Sequence, residues 1–206
     1  MTPLLLAVTA IIAYSFGSLS TPILSSHIYF HENVLNYSRD NAGITRFLKR
    51  HGWKGVGVIV LIEAIKVIVP VLLGSLLMLI VDQSKIGSAF ALFCVVLGTN
   101  FPILYRFHGE HSLLAVAVGT FFVSGEVAFA GIIVFIVVYI FSRYISLSSL
   151  AAMLVMCLVA IMSVDDTIVR NIYLLTGLLV FVEYRRSIPR EQREAAVIEF
   201  YRTILA

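Results

Sequence analysis

The chain has 206 residues, of which 60% are hydrophobic and 13% charged, and its mean hydropathy is +0.98. A soluble domain needs a polar surface that this composition does not supply, so the sequence predicts an integral membrane protein. The formal net charge of +3 is too small over this length to indicate nucleic-acid binding. The two cysteines, Cys94 and Cys157, lie inside apolar runs and indicate neither a disulfide nor a metal site.

Apolar segments recur along the whole chain, and they predict an all-α integral membrane protein with about seven transmembrane helices. In chain order, the predicted spans are approximately 3–28, 55–81, 86–104, two short spans within 112–141, then 147–162 and 171–182. The run within 112–141 is too long for one untilted helix and short for two, and Ser124, Gly125 and Glu126 interrupt it. This run is compatible with two short or inclined helices and also with a re-entrant pair.

Charge placement favours seven spans and gives their orientation. Seven spans put twelve of the fifteen Lys and Arg residues on one face: Arg39, Arg46, Lys49, Arg50, Lys54, Arg106, Arg143, Arg185, Arg186, Arg190, Arg193 and Arg202. The positive-inside rule makes this face cytoplasmic, with the N-terminus outside and the C-terminus inside. Residues 1–189 then form the membrane domain, and 190–206 form an amphipathic cytoplasmic tail, either a surface helix or a docking helix for a partner.

Two oppositely charged residues lie inside the second predicted span. Glu63 and Lys66 are three residues apart, so they share a helix face and can neutralise each other. They predict either an internal clamp between helices or a substrate or ion pathway, and Pro70 predicts a kink one turn further on. The hydroxyl residues of the first span, Ser18 among them, predict either close helix packing or a polar cavity.

The loop after the first span contains a pattern suited to binding an anion. Asn41, Gly43 and Thr45 alternate beside Arg46. Their amide, backbone and hydroxyl donors can bind phosphate ahead of a helix N-terminus. Basic cytoplasmic loops rich in turn residues are common, so this pattern is weak by itself. A second segment of similar character follows the third span, within 98–111.

Together these segments resemble the bacterial acyl-phosphate:glycerol-3-phosphate acyltransferase family, and the resemblance runs through nearly the whole chain. In the first half, the segment from Tyr14 to Ser18 matches the Gly-Ser turn of the first helix, and Asn41, Gly43 and Thr45 match the Gly-Ser-Gly-Asn-x-Gly-Ala-Thr-Asn loop. The glycines that open the next helix in the family correspond to Gly52 and Gly55. An acid, a lysine and a proline at the family's spacing correspond to Glu63, Lys66 and Pro70. In the second half, Gly98, Phe101 and Pro102 match the family's Gly-His-x-Phe-Pro segment, and Phe107 and Gly109 match the entry to its Gly-Gly-Lys-Gly-Val-Ala-Thr loop. The Arg-Tyr-x-Ser-x-Ser turn corresponds to Arg143, Tyr144 and Ser146 to Ser149. The terminal basic segment corresponds to Arg185, Ile188 and Arg190.

The resemblance implies a seven-span protein of the bacterial inner membrane, with its active site on the cytoplasmic side and with no cofactor or metal. The candidate for a catalytic residue is His111, which stands where the family has a lysine. The candidates for the substrate or phosphate site are Ser18, Arg39, Asn41, Gly43, Thr45, Arg46, Asn100, Gly109 and Arg185.

The sequence departs from the family pattern where the chemistry would be done. Thr99 stands in place of the histidine of Gly-His-x-Phe-Pro, His111 in place of the lysine of the glycine-rich loop, and Tyr184 in place of a later histidine. Asp40 and Glu110 bring carboxylates towards a phosphate dianion. At about 4 Å, a pair of like charges costs roughly 1 kcal/mol in water and about 4 kcal/mol at an effective dielectric constant near 20. The remaining replacements are Arg39 for a serine, Ser112 for a glycine and Ser187 for an asparagine.

These departures predict a divergent family member that is degenerate in catalysis and serves as a lipid-binding or structural subunit. Its partners would be membrane lipids and a membrane-protein complex, and not nucleic acid. The alternative is an active acyltransferase that moves an acyl group from acyl phosphate to glycerol-3-phosphate, or to a related alcohol, in phospholipid synthesis. The cationic clamp of that enzyme would consist of Arg39, Arg46, His111 and Arg185. A small transporter that uses Glu63 and Lys66 is a third class.

Overall fold

The computed structural model describes residues 2–21, 24–25, 42–103 and 112–185, apart from the side chains of residues 42–51, 53, 56 and 185. These residues form seven α-helices: α1 (Thr2–Gly17), α2 (Ala42–Leu79), α3 (Ser84–Asn100), α4 (Leu113–Val123), α5 (Gly125–Ser142), α6 (Ile145–Ser163) and α7 (Thr167–Arg185). No β-strand occurs within the described ranges. The predicted all-α membrane fold of about seven helices is therefore confirmed.

The outer surface of the bundle is apolar. Four described helical segments are long and apolar enough to cross a membrane: Gly57–Leu79, Gly125–Ser142, Ile145–Ser163 and Thr167–Tyr184. The helices α1, α3 and α4 are apolar but shorter. Large side chains such as Phe141 and Met162 are almost fully exposed on this surface. In water such a surface would cause aggregation, whereas in a bilayer it faces lipid.

The first and third predicted spans end earlier than the hydropathy indicates. The prediction of one continuous helix to residue 28 was wrong, because α1 ends at Gly17 and a bend follows. The hydroxyl residues after the bend, Ser20 and Thr21, are buried and point into the bundle. The third helix ends at Asn100 and not at residue 104, because Phe101 precedes a proline and leaves helical geometry (φ −129°, ψ 61°).

The apolar run within 112–141 forms two helices that meet at Ser124, which has extended geometry (φ −153°, ψ 109°). Glu126 lies in the first turn of α5, where a carboxylate interacts favourably with the helix dipole. The helix α4 has 11 residues, and α5 has 18. At 1.5 Å per residue, α4 is about 16 Å long, so it does not cross a hydrocarbon core of about 30 Å by itself.

The second predicted span is the end of a longer helix. The helix α2 has 38 residues, and its backbone leaves helical geometry at Gly52, where φ is 64° and ψ is −163°. A residue without Cβ adopts this conformation readily, so a glycine fits the kink. Pro70 lies inside α2 and keeps helical dihedrals.

The helix α3 is the centre of the bundle and packs against α1, α2, α4 and α7. Its buried side chains, which include Leu92, Val95 and Val96, form much of the core. Glycines allow α2 and α3 to touch, since a Cβ built at Gly74 would lie 2.7 Å from the carbonyl oxygen of Gly87. Small residues at a crossing are typical of membrane helices, because they let two backbones approach closely.

Candidate active site

The described segments that the sequence assigns to the site lie at one end of the bundle. Short connections join α2 to α3, α4 to α5 and α6 to α7 at the opposite end. The remaining helix ends define what we call the site end: Gly17, Ala42, Asn100, Ser112, Ser142, Ile145 and Arg185. The topology therefore brings segments from the whole length of the chain to one surface.

A buried ion pair links α2 to the segment that follows α1. The ammonium group of Lys66 lies 3.2 Å from Oε2 of Glu63, and both side chains are buried. The same ammonium donates to the carbonyl oxygen of Leu19 at 3.0 Å and to Oγ1 of Thr21 at 3.3 Å. The hydroxyl of Thr21 in turn donates to Glu63. The three protons of Lys66 thus meet three acceptors of this chain, which is the arrangement of an internal clamp.

Three polar groups, one in this clamp and two at the ends of α1 and α3, are buried without a hydrogen-bond partner in the described part of the chain. They are Oγ of Ser18, Oε1 of Glu63 and the side-chain amide of Asn100. Buried polar groups are ordinarily hydrogen-bonded, and exceptions are characteristic of places that bind water, an ion or a ligand. Ser18 and Asn100 are also two of the substrate-site candidates that the resemblance offers.

The segment that resembles Gly-His-x-Phe-Pro holds α3 against α1. A Cβ at Gly98 would lie 2.5 Å from the carbonyl oxygen of Tyr14, so the crossing requires a glycine. The Tyr14 hydroxyl donates to the carbonyl oxygen of Phe101 at 2.6 Å. The hydroxyl of Thr99, where the family has histidine, lies 3.3 Å from the carbonyl oxygen of Gly17. Thr99 is therefore a buried packing residue between the two helices.

A carboxylate occupies the N-terminus of α4. Ser112 precedes this helix, and its backbone N–H donates to Oε1 of Glu183 at 3.2 Å, while its hydroxyl donates to Oε2 at 2.5 Å. Glu183 belongs to the last turn of α7, so these bonds join α4 and α7 at the site end. A helix N-terminus attracts anions, because its first N–H groups lack partners and its dipole is positive. The Glu183 carboxylate thus lies where α4 would best bind a phosphate.

The turn between α5 and α6 contains the segment that resembles Arg-Tyr-x-Ser-x-Ser. Arg143 has a left-handed backbone (φ 57°, ψ 10°), and its side chain is exposed at the site end. The hydroxyls of Ser148 and Ser149 donate to carbonyl oxygens one turn earlier, at 2.8 and 2.7 Å. These serines are therefore bonded within their own turn, while Arg143 offers a cation to the surface.

Some of the other predicted site residues lie outside the described part of the chain, and the rest lie at helix ends. Arg39, Asn41, Gly109 and His111 lie outside the described residues, as does the tail 190–206. Because α2 begins at Ala42, the residues Gly43, Thr45 and Arg46 lie in its first two turns and not, as the sequence pattern suggested, in a loop ahead of it. Arg185 is the last residue of α7.

Sequence reasoning missed several partners in these contacts. Thr21 and Lys66 are 45 residues apart, and Ser112 and Glu183 are 71 residues apart, so no local spacing rule links them. One signal existed, since the density of hydroxyl residues after α1 indicated that this segment faces a polar interior. Within the described ranges, no group of three His, Cys, Asp or Glu side chains is placed to hold a metal ion.

Known proteins resemble this chain over almost its whole length. A family model for glycerol-3-phosphate acyltransferase matches residues 7–193. A glycerol-3-phosphate acyltransferase of Thermoanaerobacter sp. (strain X514) is 26% identical over 183 residues, which cover 88% of this chain and 89% of that protein. A glycerol-3-phosphate acyltransferase 2 of Bacillus anthracis is 29% identical over 183 residues, which cover 88% and 93%.

A solved structure shares the fold. The crystal structure of PlsY (YgiH), an integral membrane glycerol 3-phosphate acyltransferase, in its glycerol 3-phosphate form has a TM-score of 0.75 at 20% identity. The alignment covers 92% of both chains. The family match includes residues of all seven helices described above. This chain is therefore a multi-pass bacterial membrane protein that belongs to the glycerol-3-phosphate acyltransferase family.

Proposed function

We propose that this chain is an active acyltransferase of the bacterial inner membrane that moves an acyl group from acyl phosphate to glycerol-3-phosphate in phospholipid synthesis. The observation that carries the proposal is the family match over residues 7–193, which includes residues of all seven described helices. The site end adds two features that suit a polar substrate. It contains the N-termini of α2 and α4, and it contains unpartnered polar groups at Ser18 and Asn100 in the described part of the chain.

In the proposed reaction, a hydroxyl oxygen of glycerol-3-phosphate forms a bond to the acyl carbon, and the bond from that carbon to the phosphate oxygen breaks. Lysophosphatidic acid and inorganic phosphate are the products, and the hydroxyl proton passes to a base, for which His111 is the candidate. Two phosphate groups meet in one site, so cations and N–H donors must stabilise both. From the positive-inside rule we infer that this site end faces the cytoplasm, an aqueous phase from which charged glycerol-3-phosphate can reach it.

The variant Arg46→Ala tests the cationic part of the site. Arg46 lies in the first turns of α2 at the site end. We expect kcat/KM for glycerol-3-phosphate to fall about ten- to a hundredfold, because a charged hydrogen bond to phosphate contributes about 1.5–3 kcal/mol. The measurement is the release of phosphate and lysophosphatidic acid by purified protein supplied with palmitoyl phosphate and glycerol-3-phosphate. Arg170→Ala, near the start of α7 at the opposite end, is the matched control and should leave kcat/KM unchanged.

One result of this assay would contradict the proposed function, and another would contradict only the role of Arg46. A wild-type protein that forms no lysophosphatidic acid would contradict acyl transfer to glycerol-3-phosphate. Normal turnover in Arg46→Ala would remove Arg46 from the site while leaving the activity in place.

The second candidate function is a degenerate family member that acts as a lipid-binding or accessory subunit of a membrane complex. The contact that favours it is the Glu183 carboxylate at the N-terminus of α4, since an anion of the protein lies where a substrate phosphate would bind. Absence of turnover together with a membrane protein that co-purifies in stable stoichiometry would support this candidate over the enzyme.

The variant Glu183→Gln separates the two candidates. Glutamine keeps an oxygen that can accept from Ser112 but removes the negative charge. If phosphate binds beside α4, the KM for glycerol-3-phosphate should fall about tenfold, because like charges a few ångströms apart repel by about 1–4 kcal/mol, depending on the dielectric. Initial rates over a range of glycerol-3-phosphate concentrations give this KM. Glu126→Gln, the same change in the first turn of α5 at the opposite end of the bundle, should leave the KM unaltered. An unchanged KM in Glu183→Gln would mean that phosphate binds elsewhere.

A further inference from the structure

An apolar groove lies between α4, α5, α6 and α7. It encloses about 160 Å³, and apart from Ser149 its lining residues carry no polar side chain. The lining includes Leu113 of α4, Phe135 of α5 and Val180 of α7. A surface of this kind suits a hydrocarbon chain, since burial of apolar surface is its main source of affinity.

The order of residues along the helices gives the groove a direction. On α6, Ser149 is the lining residue nearest the site end and Met156 is the furthest from it. These two are seven residues apart, so the groove extends about 10 Å into the membrane. On the antiparallel α5, Phe135 is nearest the site end, and Gly131 lies one turn deeper, against Met156.

The outer end of the groove adjoins the polar contact between α4 and α7. Leu113 follows Ser112 in sequence, and Val180 lies one turn before Glu183. The polar site end and the apolar groove therefore adjoin each other. This juxtaposition fits an amphiphile whose phosphate stays at the site end while its chain extends between the helices, and acyl phosphate has this form.

Gly131 and Met156 touch near the inner end of the groove, where Ala128 of α5 lies one turn deeper still. A Cβ built at Gly131 would lie 2.5 Å from both Cγ and Sδ of Met156, so the methionine fills the space that the glycine leaves. Met156 is buried, and its side chain is flexible enough to be displaced along the groove. Resting on the proposed function, we propose that Gly131 and Met156 set the length of the acyl chain that the enzyme accepts.

The test compares chain-length profiles of two variants with that of the wild-type protein. Met156→Ala deepens the groove, so the ratio of kcat/KM for decanoyl phosphate over octanoyl phosphate, whose chains match the depth of the groove, should rise about tenfold. Gly131→Ala pushes Met156 into the groove, so the same ratio should fall about tenfold. In parallel, the thermal stabilisation of each protein in detergent by octyl phosphate and decyl phosphate reports chain binding without turnover, and its preference should shift in the same directions.

Matched controls lie on the same two helices. Met162→Ala removes a methionine of α6 that is 87% exposed, and Gly125→Ala adds a Cβ of α5 that meets nothing within 4 Å. Both should keep the wild-type profile. Active variants that all share one profile would overturn the chain-length role and leave the proposed function intact. Loss of turnover in every protein, with chain preferences still shifted in the stabilisation assay, would overturn the proposed function alone. Absence of both signals would overturn both.

Discussion

Replacing Lys66 with methionine should lower the free energy of unfolding by about 3–5 kcal/mol, because the variant leaves a buried carboxylate without its counter-charge. Glu63 is 5% exposed, and its Oε2 forms an ion pair with the ammonium group of Lys66 and accepts a hydrogen bond from the hydroxyl of Thr21. Methionine retains the length of the side chain, but it cannot donate to the carbonyl oxygen of Leu19. The measurement is equilibrium unfolding of the purified protein in mixed micelles, followed by circular dichroism of the helices.

Two further variants test whether the unpaired charge causes this loss. Glu63→Gln combined with Lys66→Met removes both charges and should recover most of the lost free energy. Lys85→Met, at an exposed position in the first turn of α3, should change the stability by less than about 0.5 kcal/mol. A Lys66→Met protein that is as stable as Lys85→Met would show that the pair does not clamp the segment after α1 to α2.

Gly98→Ala should destabilise the protein by about 2–3 kcal/mol, because the added methyl group has no space at the crossing of α3 and α1. Its Cβ would lie 2.5 Å from the carbonyl oxygen of Tyr14 and 3.0 Å from the backbone nitrogen of Ser18. Both are backbone atoms, so relief requires a shift of α1, which also lengthens the hydrogen bond from Tyr14 to Phe101. Thermal unfolding in micelles gives the effect as a lower midpoint.

Gly57→Ala is the matched control for this prediction. A Cβ at Gly57 meets nothing within 4 Å, and the residue is exposed on α2. Alanine is the better helix former by about 1 kcal/mol, so this variant should be slightly more stable than the wild-type protein. Equal destabilisation by the two substitutions would contradict a specific role for Gly98 in helix packing.

Much of the fold could be predicted from the sequence, because a bilayer sets the length of apolar sequence that each spanning helix needs. The interruption at Ser124 is an example, since three consecutive residues that are polar or small ended an apolar run at the position where α4 gives way to α5. The pairing of Glu63 with Lys66 is another local consequence, because residues three apart share a helix face.

The parts that could not be predicted depend on contacts between distant segments. The hydropathy of the hydroxyl residues after Gly17 is compatible with a continuous helix. It contains no information about the contacts of Thr21, which forms hydrogen bonds with the charged side chains of Glu63 and Lys66 on α2. Likewise, hydropathy indicates an interfacial position for Glu183 at the end of the last span, whereas its carboxylate accepts hydrogen bonds from Ser112, the residue just before α4. The motif glycine at position 98 has a packing role that a motif match alone does not distinguish from phosphate binding.

The unequal lengths of α4 and α5 determine how deep the polar contact at Ser112 lies. Both helices run from Ser124 towards the site end, and α5 is the longer, with 18 residues against 11. Along the helix axis, the seven extra residues extend α5 about 10 Å further than α4, so Ser112 lies about 10 Å deeper than the end of α5. A phosphate bound beside Ser112 would therefore be further from bulk water than one bound at the end of α5. The repulsion from Glu183 would then exceed the roughly 1 kcal/mol expected at an open surface, so the shortness of α4 strengthens the effect of this carboxylate on phosphate binding.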